Sequence, residues 1–252
     1  MRRGVERFTY CLANQLVKDY NIRITLFIWD YPERVNWGKW DPNIELKIVP
    51  YSKYHQKKLA KLFYWNWSLW NNPDAYLINF IYHGESILPK TSKLYYVLHS
   101  PAYLIPNRYK LISKLYHKFN NVTFISVSKF VKETSEYYIN SEKNIVINHG
   151  LDFSMIDKKD CYNQNDKLKI LTVAALESWK GIQDVIPLFK FDKIKQNFEY
   201  HIIGEGNYHS EIFKLIKKYD AENFVFLKGK KNAVETLYQK YDIYCQLSQG
   251  EA

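Results

Sequence analysis

Apolar positions along this chain follow two alternating rhythms. Short runs rich in branched and aromatic residues stand at 22–29, 44–49, 75–80, 93–98, 122–127, 144–148, 168–174, 200–203, 223–227 and 242–247. Between them, apolar residues return every three or four positions. Continuous apolar runs predict strands buried on both faces, and the three-to-four spacing predicts helices packed by one face. In residues 4–20 that face is Val5, Phe8, Leu12, Leu16 and Val17, and Asp19-Tyr20-Asn21 then makes a polar turn, without a glycine, into the next strand. The alternation predicts an α/β protein with parallel sheets.

Residues 168–206 state the pattern most fully, as a strand, a turn, a helix and a second strand. The strand 168–174 ends in the polar turn Glu177-Ser178-Trp179-Lys180-Gly181. The helix that follows has Ile182, Val185, Ile186 and Phe189 on one face, and Pro187 inside it should bend or shorten it. The second strand runs out on Gly204-Glu205-Gly206. In an open parallel sheet, ligands sit at the carboxyl ends of the strands, where helix N-termini offer unpaired N–H groups. Lys180 and the 204–206 turn fall at that edge. A lysine beside a glycine can hold a phosphate there, and small residues let a ligand approach the backbone. The same residues also fit a solvated lysine and a tight turn.

The helix expected over 51–72 mixes Lys57, Lys58 and Lys61 with Trp65, Trp67 and Trp70. Such a helix could lie on an anionic membrane, or its rings could pack on the sheet. His99 closes the strand 93–98, where a histidine can touch a ligand through either nitrogen. A basic helix is expected over 107–119, and Ser128 is placed to cap a helix reaching Tyr138. From 152 to 167 the chain turns polar and loses its periodicity, which sets a domain boundary: residues 1–152 form one unit and 153–252 a second. The second unit should continue with helices over 208–219 and 232–240. It ends on the strand 242–247 and a turn with no covering helix.

Composition narrows the classes. At 252 residues, with 46% hydrophobic and 25% charged residues, the chain can bury one large core or two modest ones. No apolar run approaches the length of a spanning helix and no signal peptide is evident, so the expectation is a cytoplasmic protein with at most peripheral membrane contact. Cys11, Cys161 and Cys245 are widely separated, and neither a disulfide framework nor a metal site is suggested. The net charge of +10 is uneven: residues 1–150 hold 21 lysines and arginines against 11 acidic residues, and the remainder 15 against 15. The first half therefore faces an anionic partner, a phospholipid surface or a phosphorylated acceptor. The usual signatures of nucleic-acid recognition are missing.

The order of short motifs resembles the retaining glycosyltransferases of the GT-B fold, in particular glycosyltransferase family 4. The likeness runs over nearly the whole chain: Gly4-Val5-Glu6-Arg7; Phe124-Ile-Ser-Val-Ser128; Ile147-Asn-His-Gly150-Leu-Asp152; Lys180-Gly181; Ile203-Gly204-Glu-Gly206; Phe226-Leu-Lys-Gly229; and Tyr241-Asp242 leading to Ser248-Gln-Gly-Glu251. It implies two Rossmann-like domains facing across a cleft, the first binding an acceptor and the second a UDP- or GDP-sugar. The resemblance implies transfer with retention to a glycan or lipid-linked acceptor in cell-surface polysaccharide or lipopolysaccharide synthesis, with no metal or other cofactor. Lys180 would neutralise the donor diphosphate and Gly4 would meet the phosphate through its backbone. His99 would lie near the transferred sugar, Glu251 would face the sugar ring, and Gly204, Glu205, Gly206 and the backbone near Lys230 would sit by the nucleotide.

The departures are equally specific. Ala175 stands where the family often has an arginine five residues before the lysine, so one positive charge is lost. Arg3-Gly4 replaces a double glycine, and His149-Gly150 replaces Asn-Gly. A first strand before Gly4, a second glutamate and a closing helix beyond Ala252 belong to the family pattern, so the chain reads as a fragment and is expected to be inactive alone. Two other readings stay open: a degenerate member that binds nucleotide or a partner without catalysis, and a nucleotide-sugar epimerase of the same architecture.

Overall fold

The computed structural model describes residues 4–29, 39–49, 67, 70–79, 88, 93–139, 141–150, 159, 167–231 and 234–249. Terminal residues aside, it divides into two compact units, Arg2–His149 and Gly150–Glu251.

The first unit opens with helix α1 (Gly4–Tyr20), which carries Glu6 in its first turn and Lys18 in its last, both matched to the helix dipole. Asn21 ends it: at φ 52° its N–H reaches Val17 O at 3.0 Å, a left-handed cap that asparagine tolerates. Strands β1 (Ile24–Trp29) and β2 (Ile44–Val49) pair in parallel, and Ala13 and Val17 of α1 pack on Ile44. A separate sheet has the order β3 (Tyr76–Ile78), β4 (Leu94–Leu98), β5 (Val122–Ser126), β6 (Asn144–Val146), all parallel. Phe8 packs on the core of this sheet, so α1 serves both sheets.

Helices α2 (Pro106–Tyr116) and α3 (Lys129–Ser135) bury Tyr109, Ile112, Tyr116 and Val131 in the same core as Leu94, Val97 and Phe124. Ser128 caps α3, its Oγ accepting from Val131 N at 3.1 Å. Beneath α3 a buried polar chain is satisfied in sequence: Ser126 Oγ donates to Asn144 Oδ1, Asn144 Nδ2 to Ser135 Oγ, and Ser135 Oγ to Lys132 O. It fastens β5, β6 and the helix together without an unpaired group.

The second unit holds strands β7 (Leu168–Val173), β8 (Phe198–Ile203), β9 (Val225–Leu227) and β10 (Ile243–Tyr244) in the parallel order β10-β7-β8-β9. Helix α4 (Ile182–Val185) passes into a 3-10 turn over Ile186–Lys190, because Pro187 has no N–H to continue the α-helical ladder. Helices α5 (Asp192–Asn197) and α6 (His209–Lys218) complete the described helices of this unit, and Ile182, Ile186, Phe189, Tyr200, Ile202, Ile212 and Ile216 form its core.

Among the elements that depart from the sequence reading are two late in the second unit. Residues Val234–Lys240 form a 3-10 rather than an α-helix. The last strand is only two residues long, and side chains limit it at both ends. Asp242 accepts Lys169 N at 2.7 Å and the Lys159 ammonium. At the other end, Thr172 Oγ1 donates to Cys245 O at 2.6 Å, taking the carbonyl that a longer ladder would use. Trp67, one of the rings of the expected amphipathic helix, packs edge-on against Phe27 of β1 at 5.1 Å; Lys57, Lys58, Lys61 and Trp65 lie outside the described residues. Among the described residues no helix is long and apolar enough to cross a membrane.

Candidate functional site

In the second unit the loops at the carboxyl edge are bound to one another by backbone contacts. Ala174 N donates to Ile203 O, Leu176 N to Glu205 O, Tyr208 N to Leu176 O and Gly204 N to Gly229 O, all at 2.9–3.1 Å. Gln249 N reaches back to Trp179 O at 2.8 Å. A Cβ on Gly204 would stand 1.8 Å from Ala174 O, and one on Gly206 2.3 Å from Leu176 O. Both glycines are thus required by the neighbouring loop of the chain itself, a reason distinct from the ligand access read from the sequence.

Lys180 ends the 3-10 turn Ser178–Lys180 that leads into α4, and its ammonium lies 3.8 Å from the centre of the Trp179 ring. Such a contact holds a cation over an aromatic face. Glu205 is exposed beside the two glycines, and Lys230 is exposed one residue after Gly229, whose carbonyl accepts Gly204 N. The structure therefore gathers the 174–181 loop, the 204–206 turn and the 228–231 loop at one sheet edge. Ala175, at the position of the missing arginine, sits in this edge with its carbonyl accepting Glu177 N at 2.9 Å.

The first unit has its own polar group at a carboxyl edge. His99 follows β4, and Phe8 from the second turn of α1 meets its ring edge-on at 5.3 Å. His149, three residues beyond β6, stacks on it with centroids 5.5 Å apart and planes 13° from parallel, and Phe8 touches that ring too, at 4.6 Å. Asn79, the residue after β3, places Oδ1 3.3 Å from His99 Nε2. Burial, with the His149 ring adding repulsion, pushes His99 from the ordinary 6.5 down to about 4, and burial lowers His149 as well. Both rings are neutral at physiological pH, so the edge offers imidazole hydrogen bonds rather than cations.

Gly4 is the exposed first residue of α1, one turn before Phe8. Glu251 lies outside the described residues. Sequence reasoning missed Asn79, and met His149 only as a departure from a motif. In the sequence Asn79 stands inside the apolar run 75–80, and only the early end of β3 at Ile78 places it at the strand's edge. Among the described residues no group of three or more His, Cys, Asp or Glu side chains could hold a metal ion.

Residues 156–252 match the family model of Glycosyl transferases group 1. No curated protein matches the chain in sequence. Among solved structures, a glycosyltransferase from Rickettsia africae is similar over 97% of this chain and 69% of its own, with a TM-score of 0.77 at 19% identity. Anabaena HepE, solved with UDP-glucose, is similar over 98% and 71%, with a TM-score of 0.78 at 17% identity. WaaG, a glycosyltransferase involved in lipopolysaccharide biosynthesis, is similar over 99% and 72%, with a TM-score of 0.70 at 13% identity. At these identities the likeness is one of fold: the chain has the GT-B architecture of two Rossmann-like α/β units, the fold that its motifs resemble.

Proposed function

We propose that this chain belongs to a retaining glycosyltransferase that moves a hexose from a UDP- or GDP-sugar to a glycan or lipid-linked acceptor of a cell-surface polysaccharide or lipopolysaccharide. The observation that carries the reading is the family match over 156–252, which covers the second α/β unit and the sheet edge bearing Lys180 and the 204–206 turn. The fold likeness to a protein solved with UDP-glucose supports it.

In the proposed reaction the bond between the anomeric carbon and the diphosphate oxygen breaks as a bond to the acceptor oxygen forms, and the acceptor hydroxyl's proton leaves with the diphosphate. Lys180 meets the negative charge that grows on the leaving diphosphate, a stabilisation that increases toward the transition state. The backbone of 204–206 and of the loop at Lys230 takes the nucleotide. Gly4, His99 and Glu251 take the roles that the family resemblance implies, at the phosphate, beside the sugar and facing the ring. The basic excess of the first half fits an acceptor carrying phosphate or embedded in an anionic leaflet, and the enzyme then works peripherally on the cytoplasmic face. The reading calls for no metal ion.

A calorimetric screen of UDP- and GDP-sugars on the full-length protein, followed by mass spectrometry of products with and without acceptor glycans, tests this. Binding of one donor and mass gain on an acceptor are expected. Binding without product favours a non-catalytic member, an isomerised donor favours an epimerase, and failure to bind any nucleotide sugar overturns the reading.

A further inference from the structure

The amino edge of the second sheet, at the opposite strand ends from Lys180, carries an open groove of about 450 Å³ lined by Lys167, Asp192, Lys195, Gln196 and Phe224. Three connections deliver these side chains to one place. Lys167 immediately precedes β7, Lys195 lies in the last turn of α5 before β8, and Phe224 immediately precedes β9. Phe224 is fixed through both backbone groups, its N donating to Ala221 O at 2.9 Å and its O accepting Tyr200 N at 2.8 Å. The Lys167 ammonium stands 4.5 Å from the centre of the Phe224 ring and the Lys195 ammonium 5.7 Å. Both lysines are partly buried, and among the described residues neither forms an ion pair. Asp192 brings one carboxylate to the groove against these two ammonium groups.

We infer that this groove is an anion site that takes a phosphate group, carried either by a soluble phosphate or by an anionic lipid headgroup. Two like charges beside one ring repel each other, and the aromatic face offsets that only in part. An anion shared between them removes the repulsion. Phosphate has the charge and the several acceptor oxygens to engage two ammonium groups at once, where a carboxylate brings a single charge. Because cations already stand over the ring, the ligand is met by N–H donors rather than by stacking of a base. Leu188 and Phe191, both exposed in the segment leading into Asp192, suit the lipid source. The site lies away from the donor edge and does not rest on the sugar-transfer reading.

The test is NMR of the full-length protein labelled with carbon-13 lysine, the Cε signals of Lys167 and Lys195 being assigned by their loss in Lys167→Gln and Lys195→Gln. Inorganic phosphate is expected to shift both signals with one common midpoint. Losing either ammonium should weaken the binding seen at the other by about 10-fold, and Lys167→Arg should retain it. Phe224→Leu keeps the net charge but removes the shared seat, and is expected to weaken binding by about 2–5-fold. Circular dichroism checks that each variant is folded. A second arm measures co-sedimentation with phosphatidylglycerol and with phosphatidylcholine vesicles. Signals that ignore inorganic phosphate, with retention on phosphatidylglycerol alone that is lost in Lys167→Gln/Lys195→Gln and reduced in folded Phe224→Leu, assign the headgroup as the source. Separate midpoints for the two lysines, equal binding by wild type and folded Phe224→Leu, or no response to either probe overturns the inference. If phosphate binds here while no nucleotide sugar binds anywhere, the site stands and the transferase reading falls.

Discussion

The carbonyl oxygen of Leu247 lies 2.2 Å from where a Cβ on Gly181 would be, so the loops after β7 and β10 meet backbone to backbone. Gly181 also has φ +68°, as the left-handed residue between the Lys180 turn and α4. Gly229 has a similar φ of +63° with open space around it, and so separates the two effects. Gly229→Ala is expected to lose about 1–2 kcal/mol, the ordinary penalty of a left-handed alanine. Gly181→Ala carries the clash as well and should lose roughly 3 kcal/mol or more. Urea unfolding of the two variants side by side measures the difference.

The Ser126, Asn144 and Ser135 chain makes a second stability prediction. All three residues are buried, and Asn144 is at once the acceptor for one serine and the donor to the other. Asn144→Ala leaves Ser126 without an acceptor and Ser135 without a donor, in addition to a small void. A loss of about 2–4 kcal/mol is expected. Replacing Asn144 and both serines by alanine together should lose less than the sum of the separate losses, since unpaired groups vanish with their partners. Denaturant midpoints of the single and combined variants provide the check.

Acid should destabilise the protein over a window set by His99. Burial, then the neighbouring His149, lowers its folded value to about 4 from the ordinary 6.5. As pH falls the unfolded chain therefore takes up the proton first. The His99 contribution is intact at neutral pH, declines between about 6.5 and 4, and levels off below. His99 contributes roughly 3 kcal/mol to that decline. Burial lowers His149 and His201 in the same direction, so they add to it. Unfolding midpoints at pH of about 7, 5.5 and 4.5 should fall steadily in wild type. The fall should be shallower in His99→Gln.

Strand positions and parallel pairing were legible in the sequence because buried parallel strands are apolar on both faces, and Ser128 was legible as a cap because its role is local. The early end of β10 was not, since the hydroxyl that takes its carbonyl belongs to Thr172, 73 residues earlier in the chain. Gly204 and Gly206 were noticed as small residues that let a ligand approach, whereas the contacts that demand them come from the loop after a different strand. Asn79 acquires its meaning only when α1, β3 and β4 are brought together. Local pattern encodes elements; the direction of a side-chain hydrogen bond across elements has no sequence period.

On the proposed function, Lys180 meets the donor diphosphate. Its ammonium lies over the exposed Trp179 ring, a contact that contributes about 1 kcal/mol to stability. A charge-assisted contact to a diphosphate is stronger. Lys180→Ala is therefore expected to weaken nucleotide-sugar binding by about 10–100-fold. Lys180→Arg should recover much of the affinity. A nucleoside lacking the diphosphate should bind both the wild type and Lys180→Ala equally. Calorimetry with the diphosphate donor and the bare nucleoside decides it, and equal affinity of wild type and Lys180→Ala for the donor removes Lys180 from the site.

Ala175 offers the complementary gain. It stands five residues before Lys180, in the loop bound to the 204–206 turn through Leu176 N and Glu205 O, and is only partly buried. The resembled family often has an arginine there, so the loop as it stands carries one cation fewer toward the proposed diphosphate. Ala175→Arg adds a planar, permanently charged donor fork that suits phosphate oxygens. It is expected to tighten nucleotide-diphosphate binding by about 5–10-fold at low salt, an advantage that shrinks as ionic strength rises because the new charge acts near solvent. The same substitution combined with Lys180→Ala should restore part of the lost affinity. Titrations at two salt concentrations test this, and an Ala175→Arg protein that folds normally but binds no tighter at either would show that this loop does not face the diphosphate.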